Sequence, residues 1–390
     1  MFIDLTPAQR ALRDELRAYF ATLMTAEERR ELLTQRHGPV LREVVRRMGR
    51  DGWLGVGWPV EYGGRGFGPI EQHIFVDEAA RADVPLPSVT LQTVGPTLQE
   101  FGTPEQKEFF LPRILAGEIH FAIGYSEPGA GTDLAALTTR AERDGDEYVV
   151  NGQKIFTTGG HDADYIWLAV RTGPPPTHGS TGRKTETPKH KGLSILIVDT
   201  CDPGYSWTPI ITCDGAHHVN ATYYSDVRVP ASMLVGKENE GWRLITNQLN
   251  HERVMLGPAG RLGSLYDRVR RWARPWLDQP DVRRVLADAY ATLHINELLN
   301  WQVAATRTVR VADASATKVF ASERLQRHGQ AFEELVGRYG DPADPATAQL
   351  LAWLDIQAKR NLVLTFGGGV NEIQRELIAT AGLGLPRVPR

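Results

Sequence analysis

The 390-residue chain is 42% hydrophobic and 23% charged, which suffices for a large buried core in two or three domains and excludes wholesale disorder. Its 44 Lys and Arg nearly balance 47 Asp and Glu, for a formal charge of -3, so no basic surplus exists to neutralise a phosphate backbone and no nucleic-acid partner is expected. The two cysteines, Cys201 and Cys213, have no His or Cys pair at metal-ligand spacing, which argues against a disulfide framework or a metal site and suits a reducing cytoplasm.

In chain order, "MFIDLTPAQRALRDELRAYF" carries charge throughout, unlike a signal peptide, and no later run is long enough to span a bilayer. A soluble, cytoplasmic protein without membrane contact is expected. Thr6, Pro7 and Gln9 form a capping-box start, and Leu12, Leu16, Tyr19, Phe20 and Leu23 follow at helical spacing. Thr25 and Glu28 repeat the box, and helical patterns run to about Glu118 around the loop "GWPVEYGGRGFGP", so residues 1–118 are expected to form a helical domain. Over 119–236 the period becomes that of strands. "EYVVNGQKIFTT" has β-rich runs on both sides of Asn151-Gly152, a hairpin signal, and "ADYIWLAV", "LSILIVD" and "ATYYSDVRV" read as further strands. The polar stretch from Gly173 to Gly192 reads as a solvated loop without assigned function. Helical periods return over 237–390. The expected class is α+β: an N-terminal helical domain, a central β-barrel or sandwich, and a C-terminal helical bundle.

On the helix after Gly241, Trp242, Ile245, Leu249, Glu252 and Leu256 share one stripe at roughly 100° per residue, which puts a carboxylate in an apolar face. Burial would make Glu252 a stronger base near neutral pH; a salt bridge, for instance with Arg253, is the competing reading. "GYSEPGAGTD", Gly124 to Asp133, can offer backbone N–H groups and hydroxyls to a polar ligand or a phosphate, or be a plain connection. "KIFTTGG" sets Phe156 two residues before Thr158, so a regular strand would turn a ring and a hydroxyl to one face, for stacking and hydrogen bonding or for cross-strand packing. Three consecutive glycines in "LTFGGGVNEIQR" precede a helix start, as expected where something must approach the main chain closely.

With "EYGG", "GTPEQKEFFLPRILAGE", "SEPGAGTD", "VNGQKIFTTGG", "DVRVP" and "NEIQR" in this order along nearly its whole length, the chain resembles the acyl-CoA dehydrogenases. "MFIDLTPAQR", "QLNHERVMLGPAGR", "INELLNWQVA" and "LTFGGGVNEIQR" are more narrowly similar to a subunit of the heteromeric enzymes with which actinobacteria shorten steroid side chains. Among these, it looks most like the one acting on the last, three-carbon remnant of the cholesterol side chain.

The resemblance implies FAD as cofactor. Tyr125 and Ser126 would line the flavin, Phe156 would replace the family's flavin-facing tryptophan, and Thr158 would hydrogen-bond flavin N5. Gly368, Gly369 and Glu372 would lie on the cofactor side of the C-terminal loop, with Thr132 and Arg253 toward the acyl-CoA. The commonest base of the family is a glutamate at the position of Gly368. In isovaleryl-type and steroid-type members it is the residue before an arginine on the helix after the β-domain, here Glu252. Glu252 would remove the α-proton of a thioester, the β-hydrogen would leave as hydride to the flavin, and backbone N–H groups near Gly368 would support the enolate-like oxygen, giving a trans-2-enoyl-CoA.

Two departures from the family concern a neighbouring subunit's flavin. "DRVRRWARPWLDQPDVRR" lacks the usual Arg-x-x-Phe-Gly-like stretch, and Arg338 in "VGRYG" replaces a glycine. They imply pairing with a paralogous subunit in a heterotetramer of two copies of each chain. An electron acceptor such as electron-transfer flavoprotein is implied too. A non-catalytic partner subunit and a flavin-dependent acyl-CoA or nitroalkane-type oxidase are the alternative functions.

Overall fold

The computed structural model describes residues 4–174, 188–255, 257–306 and 310–387, with the side chains of 249–255 outside the description. Most of the expected loop at 173–192 therefore lies outside the described residues. Six helices come first: α1 (Pro7–Thr22), α2 (Ala26–Thr34), α3 (Pro39–Arg50), α4 (Pro69–Arg81), α5 (Gly95–Phe101) and α6 (Pro104–Leu115). Strands β1 (Phe121–Gly124), β2 (Arg140–Asp144), β3 (Glu147–Thr158), β4 (Tyr165–Arg171), β5 (Leu193–Asp199), β6 (Tyr205–Ile211), β7 (His217–Pro230) and β8 (Leu234–Val235) follow. Helices α7 (Gly241–Met255), α8 (Gly260–Trp272), α9 (Pro280–Ala304), α10 (Val311–Tyr339), α11 (Pro345–Asn361) and α12 (Asn371–Leu377) complete the chain. The helix–sheet–helix succession is the one expected. By contacts the chain divides into two units, one of Met1–Thr25, Phe67–Leu86 and Asn250–Arg390, the other of Ala26–Gly66 and Pro87–Leu249.

Among the described residues, the regular structure of the first unit is all helical. Thr6 and Gln9 bond reciprocally at the start of α1 with Pro7 in the first turn, and the stripe Leu12, Leu16, Phe20 is buried. Phe20 meets Phe75 of α4 with ring centroids 5.7 Å apart, and burying each ring stabilises by about 2 kcal/mol. Gly260 opens α8 against α4, where a Cβ would lie 2.0 Å from the Asp77 carbonyl oxygen, so only glycine allows this approach. The Asp344 side chain caps α11 by accepting from the Thr347 N–H at 3.0 Å, and buried His328 of α10 reaches Thr292 of α9 at 3.0 Å.

The second unit is built on one sheet of order β6-β7-β3-β2-β4-β5-β8, with β1 added in parallel to β4. It folds over a core of Tyr148, Val150, Ile166, Leu168, Val170, Leu196, Val198, Val227 and Val229, contributed by β3, β4, β5 and β7. Thr103 and Gln106 form a second capping box at the start of α6, and the Gln106 amide also donates to the Ser232 and Leu234 carbonyls, at 2.7 and 2.9 Å. Arg42 of α3 reaches Asp162 and Asp164 just beyond β3, each at 3.1 Å.

The hairpin expected at Asn151-Gly152 is not there: β3 runs through both residues, and the turn between β2 and β3 is Gly145-Asp146, with Gly145 at φ +60° and Asp144 paired with Glu147. Instead, Asn151 exchanges two 2.9 Å hydrogen bonds with Asp226, which sits at φ +54° where β7 carries one residue more than β3. The Asn-Gly pair marks a bulge, and its glycine is required because a Cβ would lie 2.5 Å from the Thr139 hydroxyl oxygen. Among the described residues no helix is long and apolar enough to cross a membrane, and no cluster of metal-ligating side chains occurs.

Candidate active site

In the second unit the "SEPGAGTD" loop and the end of β3 are bound to each other. Ile155 donates its N–H to the Ser126 carbonyl at 2.8 Å, and Lys154 donates to the Tyr125 carbonyl at 3.1 Å and to Glu127 at 2.9 Å. Lys154 is fully buried. The Glu127 carboxylate also accepts from the Thr138 N–H and hydroxyl, both at 2.7 Å, and from the Thr139 N–H at 2.9 Å. Burial pushes this carboxyl up, but the Lys154 charge and the threonine donors outweigh it and hold it at about 2. Burial draws the Lys154 ammonium down to about 8, with Glu127 opposing. Buried Arg171 fixes the far side of the loop by donating to the Ala135 and Leu137 carbonyls at 2.8 and 3.2 Å.

Sequence spacing treats 154–158 as a regular strand, and here the structure corrects it. A bulge falls between Lys154 and Thr157, with Phe156 at φ +61°, a conformation that costs a non-glycine residue roughly 1–2 kcal/mol. The bulge buries Lys154 and Thr157 and leaves Phe156, 63% exposed, and Thr158 on the open side. Beside them Ser126 is half-buried, Thr132 is exposed, and at Gly129 and Gly131 a Cβ would meet nothing within 4 Å. An exposed ring and hydroxyl on a pinned bulge, next to an open glycine loop, fit a flat heteroaromatic cofactor with a phosphate tail.

In α7, Leu244, Ile245 and Gln248 are buried, and Glu252 follows Gln248 by four residues in the chain. The side chains of Glu252 and Arg253 lie outside the described ones. Gln248, unforeseen from sequence, accepts hydrogen bonds from the Tyr125 hydroxyl and from the Trp167 indole N–H, the latter at 3.2 Å. Gln248→Leu should lower stability by about 3 kcal/mol, because both buried donors lose this acceptor, a loss that denaturant unfolding would register. Beyond α7, Asn296 and Asn300 of the "INELLNWQVA" segment both donate to the Gly257 carbonyl, at 3.3 and 3.0 Å.

The glycine loop lies in the first unit. Gly368 and Gly369 take φ of +65° and +92°, and a Cβ on Gly369 would lie 2.6 Å from the Gln374 amide nitrogen. A carboxylate-bearing residue at Gly368 would therefore be strained in this loop. Buried Lys318 of α10 donates to the Gly369 carbonyl at 2.6 Å and to Asn371 at 2.9 Å, and Gln374 donates to the Gly368 carbonyl at 3.2 Å. Glu372 is exposed, without a side-chain partner among the described residues.

The structure thus joins Tyr125 and Ser126 to Phe156 and Thr158 in one unit and groups Gly368, Gly369 and Glu372 in the other. Sequence reasoning missed Glu127, Lys154, Gln248, Lys318 and Gln374. For Gln248 a signal existed, since it is a polar residue on the very stripe that drew attention to Glu252.

Residues 6–118, 122–242 and 239–383 match the N-terminal, middle and C-terminal domains of acyl-CoA dehydrogenase in turn, and the chain belongs to that family of flavoproteins, oxidoreductases acting on CH–CH bonds. It is 66% identical over 398 aligned residues to acyl-CoA dehydrogenase FadE29 of Mycobacterium tuberculosis, covering 100% of both chains. Among solved structures it is similar to the Tcur3481-Tcur3483 steroid ACAD (49% identity, TM-score 0.90) and to the ChsE4-ChsE5 complex from Mycobacterium tuberculosis (48% identity, TM-score 0.89), covering 100% of each chain compared.

Proposed function

We propose that this chain is a catalytic, FAD-dependent subunit that dehydrogenates a steroid-CoA thioester with a three-carbon side chain to its trans-2-enoyl-CoA. The observation that supports the choice of base is the left-handed turn at Gly368 and Gly369, which disfavours a carboxylate in the loop and favours Glu252, the carboxylate that the sequence places on an apolar helical stripe. The thioester carbonyl acidifies the α-carbon, Glu252 takes that proton, and Arg253 and Thr132 contact the acyl-CoA. Flavin, when bound, supplies the acceptor for the β-hydrogen as hydride. Tyr125, Ser126, Phe156, Thr158, Gly368, Gly369 and Glu372 are the residues that would hold it. The steroid substrate is supported by the similarity to the steroid ACAD.

The working form is a heterotetramer of two copies each of this chain and a paralogous subunit, cytoplasmic, passing electrons to an electron-transfer flavoprotein. Two solved relatives bear names that pair two proteins. Arg338 is engaged with Asp281 at 3.0 Å, and Asp281 also accepts from the Tyr339 hydroxyl at 2.7 Å, so this position ties α10 to α9. The three domains are taken as 1–118, 119–236 and 237–390.

Anaerobic mixing of the co-expressed complex with steroid-CoA thioesters of graded side-chain length tests the reading. Flavin bleaching is expected, fastest with three carbons. Bleaching only by straight-chain acyl-CoA would overturn the substrate, and rapid peroxide formation in air without an added acceptor would favour an oxidase. A homo-oligomer with one FAD per chain and full activity would remove the paralogous partner.

A further inference from the structure

Four histidines of the second unit meet where the junction of α2 and α3 packs on the end of β3. His161 and His217 are stacked, with ring centroids 4.0 Å apart and planes 24° from parallel, and His37 meets His161 and His218 edge to face at 5.1 and 5.8 Å. Buried Asn220 fixes the protonation of the stacked pair. Its Nδ2 donates to the Thr157 carbonyl at 3.1 Å, which orients the amide, so the same nitrogen donates to His161 Nδ1 at 3.0 Å and Oδ1 accepts from His217 Nε2 at 2.7 Å. His161 Nδ1 therefore carries no proton, and the network requires a neutral His161. The rings also join two stretches of main chain. A Cβ on Gly159, which follows β3 at φ +70°, would lie 2.7 Å from His37 Cε1, so this imidazole rests directly on the glycine. The Gly159 N–H donates to the His218 carbonyl at 2.9 Å, and the Gly38 N–H to Asp162 at 2.9 Å. The charged and titratable groups around the rings are Asp162, engaged by Arg42 at 3.1 Å, Asp164, held by Arg42 and by the His120 N–H at 2.7 Å, and Asp214, 3.7 Å from His218 Nε2. Since Arg42 already answers Asp162 and Asp164, a proton added to His37 or His161 meets other imidazoles. An open cleft lined by His161, Tyr205, Ser206 and Trp207 brings water to the stacked pair.

We propose that His37, His161, His217 and His218 form a pH-sensitive latch: neutral, they hold the junction of α2 and α3 against the end of β3, and as protons are taken up they release it. Burial and the neighbouring imidazoles hold His37 down to about 3, and burial with His217 lowers His161. Once the segments part, both rings are hydrated and return to the ordinary value near 6.5. The opened form therefore binds more protons than the closed one, so the latch is at full strength above about pH 6.5 and weakens as the pH falls toward 3. Release loosens the main chain next to Thr158. The latch is a property of this chain alone; only its effect on flavin rests on the cofactor reading above.

The test measures amide hydrogen exchange of the co-expressed complex between pH 7.5 and 5, corrected for intrinsic exchange, with flavin retention followed on the same samples. Protection over residues 35–42 and 156–163 should fall roughly 50-fold between pH 6 and 5 if opening takes up two protons, while β5 keeps its protection. The window lies above the range in which Glu127 takes up its proton. His37→Phe keeps a ring against Gly159 but removes one titrating group, so it should retain its flavin at pH 7.5 and lose protection only roughly 8-fold over the same unit. His161→Gln, whose amide oxygen can still accept from Asn220, should behave alike and serves if His37→Phe does not fold. Constant wild-type protection of the two segments, or a fall that neither substitution reduces, would overturn the proposal. Flavin should leave as residues 156–163 open. Opening that shifts with the substitutions while flavin stays bound upholds the latch and counts against Thr158 as a flavin contact.

Discussion

Glu252→Gln is expected to lose roughly 1,000-fold or more in the rate of flavin reduction by substrate, while the protein folds, keeps its flavin and still binds the thioester. The amide is nearly isosteric with the carboxylate but cannot accept the α-proton, so the loss should fall on the limiting rate and leave KM close to that of the wild type. Stopped-flow reduction under anaerobic conditions measures the rate directly, and the visible spectrum reports flavin content before mixing. Turnover that survived would mean that the base lies elsewhere or on the partner subunit. Returning a carboxylate to the loop by Gly368→Glu in the Glu252→Gln background should not restore activity well, because that position takes φ +65° and a side chain there strains the turn.

Lys154→Met should cost about 3–5 kcal/mol of stability and most of the flavin affinity, because it leaves a buried Glu127 without its counter-charge and the Tyr125 carbonyl without its donor. The loss reaches the cofactor through the backbone, since Lys154 and Ile155 are what bind the end of β3 to the loop at Tyr125 and Ser126. Urea unfolding and flavin retention on gel filtration measure the two effects. The double variant Glu127→Gln/Lys154→Met should lose less than the sum of the single losses, as expected of partners in one interaction.

The same pair fixes a pH dependence. The Glu127 carboxyl is held near 2 against its ordinary 4.5, so its contribution is fully present above about pH 4.5 and is lost as the pH falls toward 2. Glu127→Gln should remove that part of the acid-induced loss of stability, which a series of unfolding curves between pH 5 and 2 would show. A wild-type acid profile that the substitution left unchanged would mean that the carboxylate is not held as described.

What the chain disclosed by itself was local. Thr6 with Gln9 puts a cap and its partner within one turn, and that cap formed as the spacing requires. The strands of "ADYIWLAV" and "LSILIVD" follow from unbroken apolar runs, and the glycine triple marked a turn in which two residues do adopt left-handed φ. Glu252 stood out because a charged residue on an apolar helical stripe is visible in any seven-residue window.

Tertiary structure decided the features whose partners are remote. Asn151-Gly152 has the local signature of a turn, yet Gly145-Asp146 closes the hairpin, because Asn151 is engaged by Asp226, 75 residues away. Lys154 finds Glu127 across 27 residues, Lys318 finds Asn371 across 53, and Tyr125 finds Gln248 across 123. A buried polar side chain must meet its hydrogen-bonding complement, and which complement that is depends on the strands and helices that happen to pack beside it. Periodicity shows which residues turn inward; only the packed elements show what each of them meets there.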